Sequence, residues 1–229
     1  MPPLPPDIKD RRPIQARNAI WAKALAKRLA NSGCTPNRIS LASILFSLLA
    51  GLCFAFCFLP GTWLTPLLLM MGAAFVQIRL ICNLLDGMVA IEGGKKTPTG
   101  DFFNDFPDRV SDPLILIGLG YGLTSFTWGG TLGWAAALLA LMTAYTRLLG
   151  GACKLDQDFS GPMAKQHRMA LVTLGAVVAA FLPSAAAQIL LLVVLALITA
   201  GGAFTVLRRA RRICTQLQNR GTTPTTPAC

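Results

Sequence analysis

Six long apolar stretches follow one another along the chain, in the pattern of a protein that crosses a lipid bilayer repeatedly. A transmembrane helix needs roughly 20 apolar residues, and the stretches occupy residues 39–59, 63–89, 102–123, 132–149, 169–182 and 185–207. The fifth is short, and the third is polar in its first half. Only 14% of the residues are charged, whereas a soluble domain carries about 25%. The sequence therefore predicts an all-α, polytopic membrane protein with six transmembrane helices.

Lysines and arginines lie on alternate connections between these stretches. Eight precede the first stretch, two lie in the second connection, four lie in or beside the fourth, and five follow the last stretch. The first, third and fifth connections hold none. Because cytoplasmic loops carry an excess of basic residues, this pattern predicts cytoplasmic termini, as in a bacterial inner membrane. A net charge of +11 on a soluble chain would suggest a nucleic-acid partner, but charges sorted by connection argue against one.

Composition divides the chain into three regions around a single membrane domain. Residues 1–34 form a cytoplasmic N-terminal segment, and residues 35–207 contain the six apolar stretches. Residues 208–229 are predicted to be a basic, disordered cytoplasmic tail, because they are rich in arginine and end in a run of threonine and proline. No internal repeat and no second domain are visible in the sequence.

The N-terminal segment contains a predicted amphipathic helix over residues 14–30. Trp21 and Leu25 fall on its apolar side, and Lys23 and Lys27 lie roughly opposite. This arrangement is typical of a helix that lies in the cytoplasmic headgroup layer. A helix packed on the loops of the protein fits the same pattern nearly as well.

The acidic residues are concentrated in one short region. Five of the chain's ten lie between residues 83 and 108, and a sixth follows at once; the six are Asp86, Glu92, Asp101, Asp105, Asp108 and Asp112. On a helix, the last four share one stripe about 60° wide, with Asn104 beside it. Arg79, Asn83 and Asp86, spaced i, i+4 and i+7 in the second stretch, share another. An aspartate at mid-bilayer costs about 2.5–3.5 kcal/mol, so these carboxylates are expected to face water, cations or each other.

Two polar stripes that meet at a membrane–water boundary predict a divalent-cation site. Carboxylate and carbonyl oxygens are the ligands that Mg²⁺ and Mn²⁺ prefer, and a pair of such ions can clamp a diphosphate. Two alternatives stay open on the residues alone. The stripes can pair internally with Arg79 and Arg109, or they can line the ion pathway of a channel or transporter.

The same residues carry a resemblance to a known family. The CDP-alcohol phosphatidyltransferases share the pattern DxxDGxxAR, eight residues, then GxxxDxxxD. Here the frame is Asn83-x-x-Asp86-Gly87-x-x-Ala90-Ile91, eight residues, then Gly100-x-x-x-Asn104-x-x-x-Asp108, so the spacing is kept throughout. Three positions depart from the pattern: Asn83 and Asn104 stand in place of aspartates, and Ile91 stands in place of arginine.

The resemblance implies an enzyme of phospholipid synthesis. Such an enzyme transfers the phosphatidyl group of CDP-diacylglycerol to a small polar alcohol, releases CMP, and uses one or two Mg²⁺ or Mn²⁺ ions at the cytoplasmic face. It implies contact with membrane lipids, and family members pair as homodimers. A rival interpretation is the same fold with catalysis lost through the two asparagines, leaving a protein that binds lipid or nucleotide.

The resemblance also implies a role for each residue of the motif. Asp108 is the expected general base. The expected metal ligands are Asp86, Asn83, Asn104 and Asp108, with Asp101 or Asp105 as substitute carboxylates. The expected donor-binding residues are Gly87, Ala90, Gly100 and Asp86. By its spacing alone, one turn before Asn83, Arg79 is a candidate to replace part of the missing cationic function. The expected acceptor- or phosphate-binding residues are Arg147, Lys165, Arg168 and Arg109, although ordinary positive-inside anchoring explains the first three equally well.

Overall fold

The computed structural model describes residues 19–59, 63–92, 99–156 and 158–222, apart from the side chains of residues 91, 92, 101, 104, 221 and 222. This part of the chain forms seven α-helices. In chain order they are α1 (Ile20–Asn31), α2 (Pro36–Phe56), α3 (Thr65–Glu92), α4 (Gly100–Gly122), α5 (Gly129–Ala152), α6 (Lys165–Ala179) and α7 (Ser184–Thr222). The predicted loop lysines Lys95 and Lys96 lie outside the described residues.

Each apolar stretch of the sequence falls on one of the helices α2 to α7. Among the described helices, α2, α3, α5 and α7 are long and apolar enough to cross a membrane. Helix α6 has 15 residues, and α4 carries the acidic residues together with Pro107 and Pro113. The structure is therefore that of an all-helical, polytopic membrane protein in which four helices meet the length and hydropathy of a span.

Glycines bring helices α2, α4 and α5 into close contact. A Cβ atom added at Gly51 of α2 would lie 2.5 Å from the carbonyl oxygen of Leu114 in α4, and one added at Gly118 would overlap the backbone of Gly51. On the opposite side of α4, a Cβ at Gly133 of α5 would lie 2.9 Å from the carbonyl oxygen of Leu116. Small residues allow such contact between membrane helices. The contact fixes the rotation of α4 and so the direction in which its aspartates point.

Replacing Gly118 by valine should destabilise the fold, because the new side chain has no room against the backbone of α2. Overpacking of this kind costs about 1–3 kcal/mol. Thermal unfolding of the detergent-purified protein measures the effect, with Ala196→Val on the exposed face of α7 as the control. Equal unfolding temperatures for the two variants would contradict the close contact.

Helix α1 packs on the bundle through alanines. Ala22 and Ala26 are fully buried in a cluster with residues of α2 and α3 that include Leu84 and Met88. The predicted apolar side of this helix, represented by Trp21, is half exposed. The protein therefore contacts the alanine stripe of α1, and the larger apolar side chains remain accessible.

Helix α7 differs most from the sequence prediction. The predicted disordered tail begins at residue 208, whereas α7 continues to Thr222. Two arginines of the extension hold the α5–α6 connection: Arg209 donates to the carbonyl oxygen of Ser160, and Arg220 donates to that of Lys154. The contacts with this connection explain why a polar, arginine-rich segment stays helical. Residues 223–229 lie outside the described residues.

Candidate active site

Arg79 lies at the centre of a polar network between α3, α4 and α6. Its side chain is fully buried, and its Nη2 donates to Asp108 Oδ1 at 3.0 Å and to Asp112 Oδ1 at 2.6 Å. Asn83 Nδ2 donates to the same Asp108 oxygen at 2.8 Å, and Lys165 Nζ donates to Asp108 Oδ2. A buried cation without a partner costs several kcal/mol, and the two aspartates of α4 remove that cost.

Asp112 closes the network on the side of α6. Its Oδ2 accepts a hydrogen bond from Arg168 Nη2 at 2.8 Å, and Arg168 is almost fully buried. Arg168 Nη1 also donates to Thr143 Oγ1 of α5 at 3.0 Å and to the carbonyl oxygen of Met163 at 2.9 Å. We call the residues Arg79, Asn83, Asp108, Asp112, Lys165 and Arg168 the Arg79 network.

Asp86 lies beside this network without a cationic hydrogen-bond partner among the described residues. Its Oδ2 accepts from the Ser40 hydroxyl of α2 at 2.6 Å, and its Oδ1 accepts from the Gly87 amide at 2.6 Å. Gly87 has open space where a Cβ would stand. Ala90 is half-buried in α3, and Gly100 is the first residue of α4. The two glycines of the motif thus lie at or near the facing ends of α3 and α4.

Asp105 belongs to a different group of contacts. Its carboxylate accepts from Arg109 and from Arg147 Nη2 of α5, each at 2.7 Å, and Arg147 also stacks on the Phe159 ring. The predicted acidic stripe of α4 is therefore divided, since Asp108 and Asp112 contact α3 and α6 whereas Asp105 contacts α5. The side chains of Asp101 and Asn104, both predicted ligands, lie outside the described residues.

A cavity of about 220 Å³ opens next to this second group, between α5, α7 and the α5–α6 connection. Arg147, Arg209, Arg212, Asp156 and Asp158 supply its charged lining. Burial raises the pKa of Asp158, but hydrogen bonds from Ser160 and Arg212 outweigh it, so that this pKa lies below its usual value. The cavity therefore holds fixed charges of both signs, with arginines on opposite sides.

Several residues of the site carry no signal in the sequence. Ser40 contacts Asp86, Thr143 contacts Arg168, and Arg209 and Arg212 line the cavity. Serine and threonine are common in membrane helices, where they bond to their own backbone. The arginines of α7 look like ordinary positive-inside anchors. Only the position of neighbouring helices distinguishes these side chains from others of the same type.

Comparison with known sequences gives three relatives. The chain is 30% identical over 140 residues to archaetidylinositol phosphate synthase of Pyrococcus horikoshii, a region of 61% of this chain and 65% of that protein. It is 26% identical to inner membrane protein YnbA of Escherichia coli, over 65% of this chain and 70% of that one. It is 29% identical to the bifunctional IPC transferase and DIPP synthase of Rubrobacter xylanophilus, over 66% of this chain and 33% of that one. The chain thus spans just under two thirds of the archaeal relative, and no protein-family model matches it.

Solved structures of one protein share the fold. Phosphatidylinositol phosphate synthase PgsA1 of Mycobacterium tuberculosis, in complex with manganese and citrate, superposes with a TM-score of 0.71. The alignment covers 85% of this chain and 89% of that chain at 22% identity. The same enzyme with CDP-DAG bound gives a TM-score of 0.69 at 23% identity, over 85% and 94% of the two chains. The chain is therefore similar in sequence to archaetidylinositol phosphate synthase over part of its length, and it shares the fold of phosphatidylinositol phosphate synthase.

Proposed function

We propose that this protein transfers the phosphatidyl group of CDP-diacylglycerol to a small polar alcohol and releases CMP. The proposal rests on the position of Asp86, Asn83 and Asp108 at the facing ends of α3 and α4. Asn83 Nδ2 donates a hydrogen bond to Asp108 Oδ1 at 2.8 Å. Two of the similar proteins support this chemistry, since they are named as synthases of archaetidylinositol phosphate and of phosphatidylinositol phosphate.

The contacts of the described residues favour a single divalent cation over two. Asp86 is buried and bonded only to neutral donors among the described residues. Asn83 donates through its nitrogen, so its carbonyl oxygen is left as a possible ligand. By contrast, both oxygens of Asp108 and both of Asp112 accept from cations. Mg²⁺ or Mn²⁺ held by Asp86 and Asn83, with Asn104 as a further ligand, would neutralise charge on the donor diphosphate.

The chain's own residues supply the rest of the reaction. The acceptor hydroxyl oxygen bonds to the phosphorus that carries the diacylglycerol group, the bond from that phosphorus to CMP breaks, and the hydroxyl proton passes to Asp108. Arg79 and Lys165 hold the Asp108 carboxylate in place from two helices. A base must lie within hydrogen-bond reach of the proton that it removes, and a carboxylate held in one position suits that role. Gly87 leaves room for the backbone to approach the nucleotide.

We also propose that the acceptor carries a phosphate group. The cavity beside Arg147 lies next to the site and has Arg209 and Arg212 in its lining, and guanidinium groups suit phosphate oxygens. Two of the relatives are named as synthases of phosphorylated inositol lipids. Among the predicted acceptor residues, Arg147 lines this cavity, whereas Arg168 is buried against Asp112.

The remaining proposals concern topology. Six spans, with α4 and α6 added to the four apolar helices, would place the Arg79 network and both termini on the cytoplasmic side, in agreement with the distribution of basic residues. Residues 35–207 would form the membrane domain. Pairing into a homodimer is proposed from the family resemblance alone.

Purified protein with radiolabelled CDP-diacylglycerol, Mg²⁺ or Mn²⁺, and a panel of alcohols tests the function. We expect CMP release with a phosphorylated polyol and at least about tenfold less with the same polyol lacking phosphate, because charged hydrogen bonds contribute about 1.5–3 kcal/mol. Absence of CMP release across the panel would instead favour the catalytically inactive homologue.

Replacing Arg212 by alanine should raise the KM for the phosphorylated acceptor roughly 10- to 100-fold, because one charge-assisted contact to phosphate is removed. The KM for CDP-diacylglycerol should stay unchanged. Arg211 precedes it on α7, is exposed, and is not among the residues that line the cavity, so Arg211→Ala is the matched control. Equal acceptor KM values for the two variants would remove Arg212 from the acceptor site.

A further inference from the structure

The Arg79 network has the charge of a site that already contains a divalent ion. Arg168 and Asp112 form a buried pair of opposite charge. Asp108 is paired with Arg79 and Lys165, whose two positive charges together equal that of one Mg²⁺ or Mn²⁺ ion, and Asp86 lies near Lys165 without a hydrogen bond to either cation. The described cluster of three carboxylates and three cations is therefore neutral. One added divalent ion would give this cluster a charge that the two negative charges of a bound diphosphate balance, whereas two added ions would leave two positive charges uncompensated in a water-poor site.

The hydrogen bonds of Asp108 also argue against a second divalent ion. Arg79 and Asn83 donate to one of its oxygens and Lys165 donates to the other. A carboxylate with a cation on each oxygen can bridge two metal ions only if Arg79 and Lys165 move away. Arg79 is fully buried, and it is also held by Asp112 at 2.6 Å.

The N–H groups of Arg79 that are left without a partner favour the binding of an anion, and not of a cation, beside this side chain. Its Nε and Nη1 atoms are buried and have no hydrogen-bond partner in the part of the chain that the structure describes. An unpaired buried donor costs about 1–3 kcal/mol, and an acceptor oxygen of a substrate phosphate or of water would remove that cost. A metal ion beside these N–H groups would add repulsion.

The sequence departures agree with this arrangement. Asn83 and Asn104 each remove one negative charge relative to the family pattern, and two negative charges are what a second divalent ion would have neutralised. Arg79 lies one turn before Asn83 on the same face of α3. The two missing carboxylates and the buried cation of Arg79 therefore lie at one location.

We infer that Arg79 and Lys165 take the place of the second ion of a two-ion site, so that the chain binds one divalent cation. This inference rests on the proposed function in assigning the site to a CDP-linked donor. The fixed cations supply positive charge beside the diphosphate, and the single ion is held at Asp86 and Asn83. The positive charge at Asp108 then does not depend on metal concentration.

The experiment is Mn²⁺ stoichiometry of the detergent-purified full chain, by equilibrium dialysis with elemental analysis and by EPR, which broadens when two ions lie a few ångströms apart. We expect one Mn²⁺ per chain in the unaltered protein. Asn83→Asp with Asn104→Asp should raise the affinity and keep the stoichiometry at one. The triple variant with Arg79→Met added should bind two Mn²⁺ ions per chain and give a broadened EPR signal. If that variant fails to fold, the triple variant with Lys165→Met in place of Arg79→Met should give the same result. Adding the exposed Arg211→Met as a control should leave the stoichiometry at one.

Three results would overturn the inference: two ions in the unaltered chain, two ions after the asparagine changes alone, or one ion after removal of either cation from a folded variant. The CMP assay separates these outcomes from a failure of the proposed function. Two bound ions with CMP release overturn the inference and leave the function intact. One bound ion without CMP release for any alcohol overturns the proposed function and leaves the one-ion inference intact.

Discussion

Changing Asp108 to asparagine should lower the rate of CMP release by about 10²–10⁴-fold, the usual contribution of a general base. The amide has nearly the shape of the carboxylate and still offers an acceptor oxygen to Arg79 and Lys165, but it takes no proton. The loss is therefore expected in kcat, with the KM for CDP-diacylglycerol nearly unchanged. Steady-state assays in detergent or reconstituted vesicles measure both parameters.

Two controls separate chemistry from folding in that experiment. Asp108→Ala removes one of the two partners of the buried Arg79 and the partner of the partly buried Lys165, so it should lose activity and also unfold at a lower temperature. Asp108→Asn should lose activity with a smaller change in unfolding temperature. If Asp108→Asn retains more than a tenth of the activity, Asp108 is not the base, and the proton acceptor is another group or water.

The fold was largely predictable because each of the helices α2 to α7 leaves an apolar stretch in the sequence. Pattern and composition predicted six helices, and helices α2 to α7 lie on those stretches. The extension of α7 was not predictable, because its arginines are ordinary in composition and become structural only through carbonyl oxygens of the α5–α6 connection. A local pattern does not show which carbonyl groups lie within reach.

The sequence was enough to predict where the site lies, but not which side chains form hydrogen bonds and ion pairs with one another. Helical periodicity correctly places Arg79, Asn83 and Asp86 on one face of α3, and it places Asp105, Asp108 and Asp112 close together on α4. It does not specify the neighbour that each side chain meets. That depends on the rotation of α4, which the backbone contact between Gly118 and Gly51 fixes. As a result Asp105 contacts Arg147, and Lys165 and Arg168 of α6 join the network instead of an open phosphate site.

Internal pairing with arginine was one of the open interpretations of the acidic stripe, and the structure contains such pairs. Pairing and the proposed metal binding are compatible here because they fall on Asp112 and Asp86, two different residues. Asp112 lies between Arg79 and Arg168 with little exposure, whereas Asp86 keeps only neutral donors in the described part of the site. Asp108 contacts both groups, since it accepts from Arg79 and from Asn83.

Arg168 provides the sharpest test of this division. Replacing it by methionine, which keeps most of its volume, should lower the free energy of unfolding by about 3–5 kcal/mol, because Asp112 loses one of its two buried cationic partners. Unfolding in mixed detergent micelles measures this value. Arg212→Met is the control, since its pair with Asp158 is half exposed and such pairs contribute about 0–1 kcal/mol.

A double-mutant cycle then distinguishes a structural role of Arg168 from phosphate binding. With Asp112→Asn already in place, Arg168→Met should cost less than it does alone, by about 0.5–3 kcal/mol, because the charge that it would leave unpaired is gone. A phosphate-binding arginine would behave differently: its loss would raise the acceptor KM, leave the unfolding free energy nearly unchanged, and show no coupling to Asp112. Observation of that second pattern would return Arg168 to the acceptor site and contradict the contacts of the Arg79 network.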